Sequence, residues 1–344
     1  MIKKTAKQKM VMFLYFGNHW GHQALARAIN AEPYSAISTS KAPPVFLKPF
    51  NLFYWSWKLP SGYDIYFCEE TYMFPALRKE FGRLGKAKII NIVAGSLMYY
   101  LYTNRINPIF KPIYIHLMKQ VDGFICVSKM QQELVLKLCP TAKTAYVPQH
   151  IKPDVRKRIL SEKPAALDNH RIIMIAFGHS VYYKGLDLAI ETFLKVKNKI
   201  PDAEFTIVGK WDEETKVKYS VMDPGIKFAG VVKNIVPVIK DSSLSLHMAR
   251  GEGFGVNIIE TMLAGVPNIV SDATGAKEAV ELVDKRLIVP LDTDIAANRV
   301  IKYFSLPYSK KKELARRSIK VARKYTRKAG IAAFRKAYAR FIEY

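Results

Sequence analysis

Short apolar runs rich in β-branched and aromatic residues alternate with helix-period segments through both halves of this 344-residue chain. Such alternation predicts βαβ units and parallel sheets, because a parallel strand pair needs a crossover that is usually helical. In the first half, Val11–Phe16, Tyr63–Cys68, Ile89–Val93 and Gly123–Val127 read as strands and Gly21–Asn30 as a helix. In the second, the strands are Arg171–Phe177, Phe205–Val208, Ile226–Ala229, Leu244–His247, Asn268–Ser271 and Leu287–Val289. Between the first two of these, Leu186–Lys199 places Leu188, Ile190, Phe193, Leu194 and Val196 on one helical face. The length exceeds one ordinary core and fits two α/β domains. Ile151 to His170 breaks the pattern with prolines and dense charge and reads as a linker. The expected organisation is a first domain at 1–151, a linker at 152–170 and a second domain at 171–325.

Composition narrows the function. An apolar content of 49% is that of a globular chain, and no apolar run reaches the ~20 residues of a membrane span. The opening MIKKTAKQKM leads straight into a strand-like run without a signal-type cleavage site, so a cytoplasmic protein is expected. Cys68, Cys126 and Cys139 form no CxxC and have no histidine at ligand spacing, which argues against a disulfide framework and a zinc site. The net charge of +25 calls for an anionic partner: phosphates, lipid headgroups or nucleic acid. With no zinc finger, basic zipper or RNA-binding aromatic signature present, the nucleic-acid reading rests on charge alone.

The segment GEGFGVNIIE, Gly251 to Glu260, carries the most chemistry. A glycine-spaced turn opening a helix presents unpaired N–H groups and the positive end of the helix dipole, which together form a phosphate site. The flanking carboxylates, Glu252 and Glu260, suit a ligand that also bears hydroxyl groups, and a carboxylate can stabilise positive charge at a breaking glycosidic bond. Glycines on both sides of Phe254 are expected to admit close approach of backbone to that ligand. The loop GHSVYYKG, Gly178 to Gly185, follows the first strand of the same domain and places Lys184 where an ammonium would neutralise a diphosphate.

These two segments, read with FGHSVYYKGLDLAIETFLKVKNKIPDAEFTIVGK and LHMARGEGFGVNIIETMLAGVPNIVSDATGAKEAV around them, resemble the GT-B glycosyltransferases, in particular the retaining family four that uses nucleotide sugars. The resemblance covers nearly all of the second half. In the first half it extends only to Asp122–Val135, the strand exit YVPQHI and the loop FGNHWGH. It implies two Rossmann-like doubly wound domains facing a central cleft, with the last helix, about 326–344, packing back on the first domain through Phe334, Tyr338, Phe341 and Ile342. It implies Glu252 as the catalytic residue near the anomeric centre, and Gly253, Phe254, Gly255 and Val256 as backbone donors to the diphosphate and sugar. Glu260 would hold the ribose, Lys184 and His179 would face the diphosphate, and Gly21 or Gly17 would let the opposite domain approach it. No metal and no cofactor is implied; the nucleotide-diphosphate sugar is itself the donor substrate.

The chain departs from the family at two places. His179 stands where the family usually has Arg, a weaker phosphate partner. Ala94 or Gly95 replaces a histidine often found after the fourth strand, so His19 and His22 are the substitutes for acceptor activation. Aromatics interleaved with lysines over Lys41–Pro60 and Tyr99–Lys119, beside Arg78, Lys79, Arg83, Lys86 and Lys88, suit an anionic membrane surface and a lipid-linked or glycan acceptor. The alternatives are a nucleic-acid-binding protein and a nucleotide-sugar-binding relative that has lost turnover.

Overall fold

The structure, a computed structural model, describes residues 10–15, 20–35, 54, 56–69, 74–176 and 180–342. The chain divides into two compact units, Met1–Pro148 with Gly330–Tyr344, and Gln149–Ala329.

The first unit is built on a six-stranded parallel sheet: β1 (Val11–Tyr15), β2 (Glu32–Ser35), β3 (Ile65–Glu69), β4 (Lys88–Val93), β5 (Gly123–Cys126) and β6 (Thr144–Tyr146). Their spatial order is β2-β1-β3-β4-β5-β6. The central strands are buried along nearly their whole length, as parallel strands covered on both faces must be. Tyr66, Cys68, Ile89 and Phe124 point to one face, where Leu77, Met98, Leu101 and Leu117 meet them. Ile65, Phe67, Ile90, Ile92 and Ile125 point to the other and are covered by Phe334, Ala337 and Phe341. These last three belong to the helix Arg327–Ile342, so the final residues of the chain complete the core of the first unit. Lys88 Nζ donates to the carbonyls of Phe341 and Ile342 at 2.9 and 3.1 Å, satisfying the end of that helix. Both edge strands escape the sequence pattern: β2 contains Pro33, tolerated only at an edge, and β6 is three residues long.

The second unit carries β7 (Arg171–Ile175), β8 (Glu204–Val208), β9 (Ile226–Gly230), β10 (Leu244–His247), β11 (Asn268–Ser271) and β12 (Ile288–Val289). Their order is β12-β11-β10-β7-β8-β9, the doubly wound arrangement of a Rossmann-like fold. The direction of winding reverses between β7 and β10, which pair in parallel through Leu244 with Ile172 and Ser245 with Ile173. Ligands of such sheets bind beyond the carboxyl ends of the strands at that reversal.

The expected linker at 152–170 is not one. Pro153–Leu160 is a helix with proline in its first turn, and Ile151, Ile159 and Leu167 are buried. Ala165 N–H donates to the Ala264 carbonyl at 3.0 Å, tying the segment into the second unit. The apolar residues Ile151, Val155 and Ile159 recur every fourth position, a narrow helical stripe masked by the charges around it. The basic helix Tyr308–Ala322 also belongs to the second unit, burying Leu314, Ala315, Val321 and Ala322. Its apolar side is docked, and Lys310, Lys312, Arg316, Arg317 and Lys320 stand exposed.

Gly123 at the start of β5 offers a direct test of how the terminal helix is seated. A Cβ there would stand 2.6 Å from Phe341 Cδ1. Gly123→Ala is expected to cost about 1–3 kcal/mol by overpacking, read as a lower urea midpoint; an unchanged midpoint would contradict this seating.

Candidate active site

Two loops leave the carboxyl ends of β7 and β10 and meet at the winding reversal. From β7 the chain passes into a short helix, Val181–Lys184, capped by Ser180 Oγ, which accepts from Tyr183 N–H at 3.1 Å. Gly185 follows with φ +64°, a conformation natural to glycine. A Cβ on Gly185 would lie 1.8 Å from the Met248 carbonyl oxygen, so glycine is also what lets the two loops touch.

From β10 comes Met248–Gly255, fastened at several points. Arg250 makes a two-pronged ion pair with Asp187 at 2.8 and 2.7 Å, and its guanidinium stacks over Tyr182 at 4.2 Å. Tyr183 Oη donates to the Gly251 carbonyl. The carbonyls of Glu252 and Phe254 accept from Gly275 and Ala276 N–H at 2.9 and 2.7 Å, so the turn after β11 clamps the loop from its other side.

Lys184 and Glu252 come together within this frame, Nζ to Oε2 at 2.5 Å, with side chains only 17% and 14% exposed. Burial alone would raise the Glu252 carboxyl, but Lys184 beside it and His247 nearby outweigh burial and hold it down at about 2. His247, the last residue of β10, is buried with Nε2 3.7 Å from Glu252 Oε2 and no hydrogen-bond partner among the described residues.

The helix Val256–Leu263 starts immediately after, with Gly255 at its N-cap at φ +92° and no side-chain cap. Asn257 Nδ2 donates to the Ile175 carbonyl and fixes the helix start over the end of β7. The first N–H groups of a helix lack intrahelical acceptors, so this start presents donors beside Lys184 and Glu252. Glu260 lies one turn further, on the face shared with Val256. Its carboxyl has no hydrogen-bond partner among the described residues, and burial pushes it up to about 7; Arg158 opposes the rise and Asp154 adds to it.

Several sequence readings change here. Phe254 is core, 1% exposed, its ring 5.8 Å from that of Tyr325, so only its backbone remains for a ligand. Gly255 is demanded by the turn itself rather than by an approaching ligand: a Cβ would meet Ile258 Cδ1 at 2.8 Å and Glu252 Cγ at 3.3 Å. Gly21 lies in the helix Trp20–Ala28 of the first unit, after β1, where that sheet also reverses its winding. Gly17, His19 and His179 lie outside the described residues, as does the side chain of His22. The sequence reading missed His247, Arg250 and Asp187. A histidine ending a strand just before the signature, and an arginine inside it, were the available signals. Among the described residues, no three His, Cys, Asp or Glu side chains are grouped to hold a metal ion, and no helix is long and apolar enough to cross a membrane.

Residues 170–305 match the family model described as Glycosyl transferases group 1. The chain is 27% identical over 113 residues to a phosphatidyl-myo-inositol mannosyltransferase from Mycolicibacterium smegmatis, covering 32% of this chain and 29% of the relative. The curated relatives it matches are spanned over only 29% to 44% of their own length. Among solved structures, sucrose-phosphate synthase from Thermosynechococcus elongatus superimposes with a TM-score of 0.71 at 14% identity, over 95% of this chain and 85% of that one. HepE from Anabaena, solved with UDP-glucose, gives 0.68 at 14% identity over 96% and 100%. The fold is GT-B, and the match to the group 1 glycosyl transferase model falls within the second unit.

The two carboxylates give opposite pH signatures. Glu252, near 4.5 when unfolded and about 2 when folded, contributes stability that is complete above pH 4.5 and is lost as pH falls towards 2. Glu260, raised from 4.5 to about 7, costs stability increasingly as pH rises from 4.5 through 7. Glu260→Gln is therefore expected to stabilise the unliganded protein by on the order of 1–3 kcal/mol near pH 8, with the gain vanishing below pH ~4.5. Thermal unfolding across pH measures it; a pH-independent difference would contradict the assignment.

Proposed function

We propose that the chain, whose second unit holds the match to the group 1 glycosyl transferase model, transfers a sugar with retention of anomeric configuration from a nucleoside-diphosphate donor, without a metal ion, to a lipid-linked or glycan acceptor. The observation that carries this reading is the Lys184–Glu252 pair at the uncapped start of helix Val256–Leu263, with Glu260 unpartnered on the same helix. Lys184 and the helix N–H groups face the diphosphate, Glu260 accepts from the ribose hydroxyls, and Glu252 stands beside the anomeric carbon.

Without a ligand, Glu252 neutralises Lys184. An arriving diphosphate competes for the ammonium and leaves the carboxylate free to stabilise positive charge on the sugar. As the bond from the anomeric carbon to the diphosphate oxygen breaks, its electron pair leaves with that oxygen, where Lys184 and the helix dipole meet the new charge. The acceptor hydroxyl oxygen forms the new bond to the anomeric carbon and passes its proton to the departing diphosphate oxygen. Gly253 to Val256 contribute through backbone N–H groups at the start of the helix.

The neighbour solved with UDP-glucose supports a nucleotide-sugar donor. The relative named for phosphatidyl-myo-inositol supports a lipid-linked acceptor, and with it a location at the inner face of a membrane. The excess of cations, +25 overall, favours an anionic surface.

Thermal shift with a panel of UDP- and GDP-sugars tests the donor. Binding raises the unfolding temperature with the logarithm of ligand excess. Glu260→Ala is expected to weaken binding at least tenfold. Glu252→Gln is expected to keep binding within a few fold while lowering turnover by roughly a hundredfold, the scale of losing one charge-stabilising group. No shift with any donor would overturn the reading, and an inverted anomer in the product would overturn retention.

A further inference from the structure

A second cationic pocket lies at the opposite end of the first unit's sheet from the carboxyl ends of its strands. Ser61 to Tyr66 lead into β3 and Arg83 to Lys88 lead into β4; together they line a cavity of about 470 Å³, within the size range of small-ligand sites. The turn that supplies its cations is shaped by two glycines. Helix Phe74–Glu80 ends with Arg83 N–H donating to the Arg78 carbonyl at 3.1 Å and Gly82 at φ +67°, and Gly85 follows at φ +55°. Arg83 and Lys86 are thereby placed at the cavity.

Most neighbouring cations are already committed. Lys79 pairs with Asp122 at 3.0 Å, Arg78 donates to the Leu59 carbonyl, and Lys88 holds the end of the terminal helix. Arg83 and Lys86 differ: both are exposed, and among the described residues no carboxylate pairs with either. Asp64 is the acid in the lining, so the pocket is net cationic. Two large apolar rings near Arg83 stand in water. Trp57 is 70% exposed with the Arg83 guanidinium 4.0 Å over its ring, and Phe81, two residues before Arg83, is 60% exposed. A large ring left in water beside a cation that no carboxylate neutralises is the pattern of an interfacial anchor.

We propose that this pocket binds the phosphate of an anionic phospholipid headgroup through Arg83 and Lys86, while Trp57 and Phe81 enter the interface beside it. The inference gives a location to the membrane contact proposed above and is independent of the donor site, because lipid binding is read without nucleotide. Sedimentation with phosphatidylcholine vesicles, with and without phosphatidylglycerol, tests it on the full chain.

The expected result is at least tenfold tighter binding when phosphatidylglycerol is present. The double variant Arg83→Ala/Lys86→Ala abolishes that preference, since each basic residue near an anionic surface contributes severalfold. Trp57→Ala weakens binding to both kinds of vesicle. Both variants are expected to melt like the parent and to keep its nucleotide-sugar shift. Free glycerol phosphate distinguishes a headgroup from a soluble ligand: Arg83-dependent binding of it, with vesicle binding indifferent to Trp57→Ala, would overturn the lipid assignment. Phosphatidylglycerol preference surviving in the double variant would overturn this pocket and leave the broader membrane reading standing.

Discussion

The contact between Gly185 and the Met248 carbonyl is the constraint on which the candidate site depends. Two loops from neighbouring strands must approach to a distance that excludes any Cβ, and one of them must turn through a left-handed residue to do so. Once they touch, Arg250 reaches Asp187, Tyr183 reaches Gly251, and Lys184 is delivered to Glu252. No residue of this set is informative alone. Held together, they turn a fold-level feature, the winding reversal between β7 and β10, into a charged and largely buried surface at the start of a helix.

The two carboxylates of that surface show how one loop and one helix assign different states to the same functional group. Glu252 is largely buried against a cation and stays ionised; Glu260, half-buried and with no ion-pair partner among the described residues, has its carboxyl raised to about 7. A half-buried carboxylate that makes no hydrogen bond to the protein costs stability.

Much of this was legible in the chain itself. Every interior strand announced itself as a largely apolar run, and Leu244–His247 and Asn268–Ser271 were bounded to the residue, because turn-forming residues before each, Asp241 to Ser243 and Gly265 to Pro267, mark where they start. At the edges of the second sheet β9 and β12 were legible too, whereas the edge strands of the first unit were not, since β2 and β6 are short and only partly covered. Nor was the helix at Pro153–Leu160, whose apolar stripe is too narrow to stand out among charges. Within the site, Glu252, Glu260 and Lys184 were readable as residue types at a meaningful spacing. The reason for Gly255 was not, because the crowding by Ile258 and Glu252 exists only once the turn has formed. His247 was overlooked because a histidine closing a strand carries no periodic signal.

The first unit is discontinuous in the chain, and this bears on its biosynthesis. Phe334, Ala337 and Phe341 cover one face of its sheet, yet they emerge from the ribosome only after all of Gln149–Ala329. At roughly 5–20 residues per second, that face waits on the order of 10 to 40 s for its cover. During that interval Phe67, Ile90, Ile92 and Ile125 form an open apolar surface, the kind that chaperones grip, while the later-made unit can close without delay.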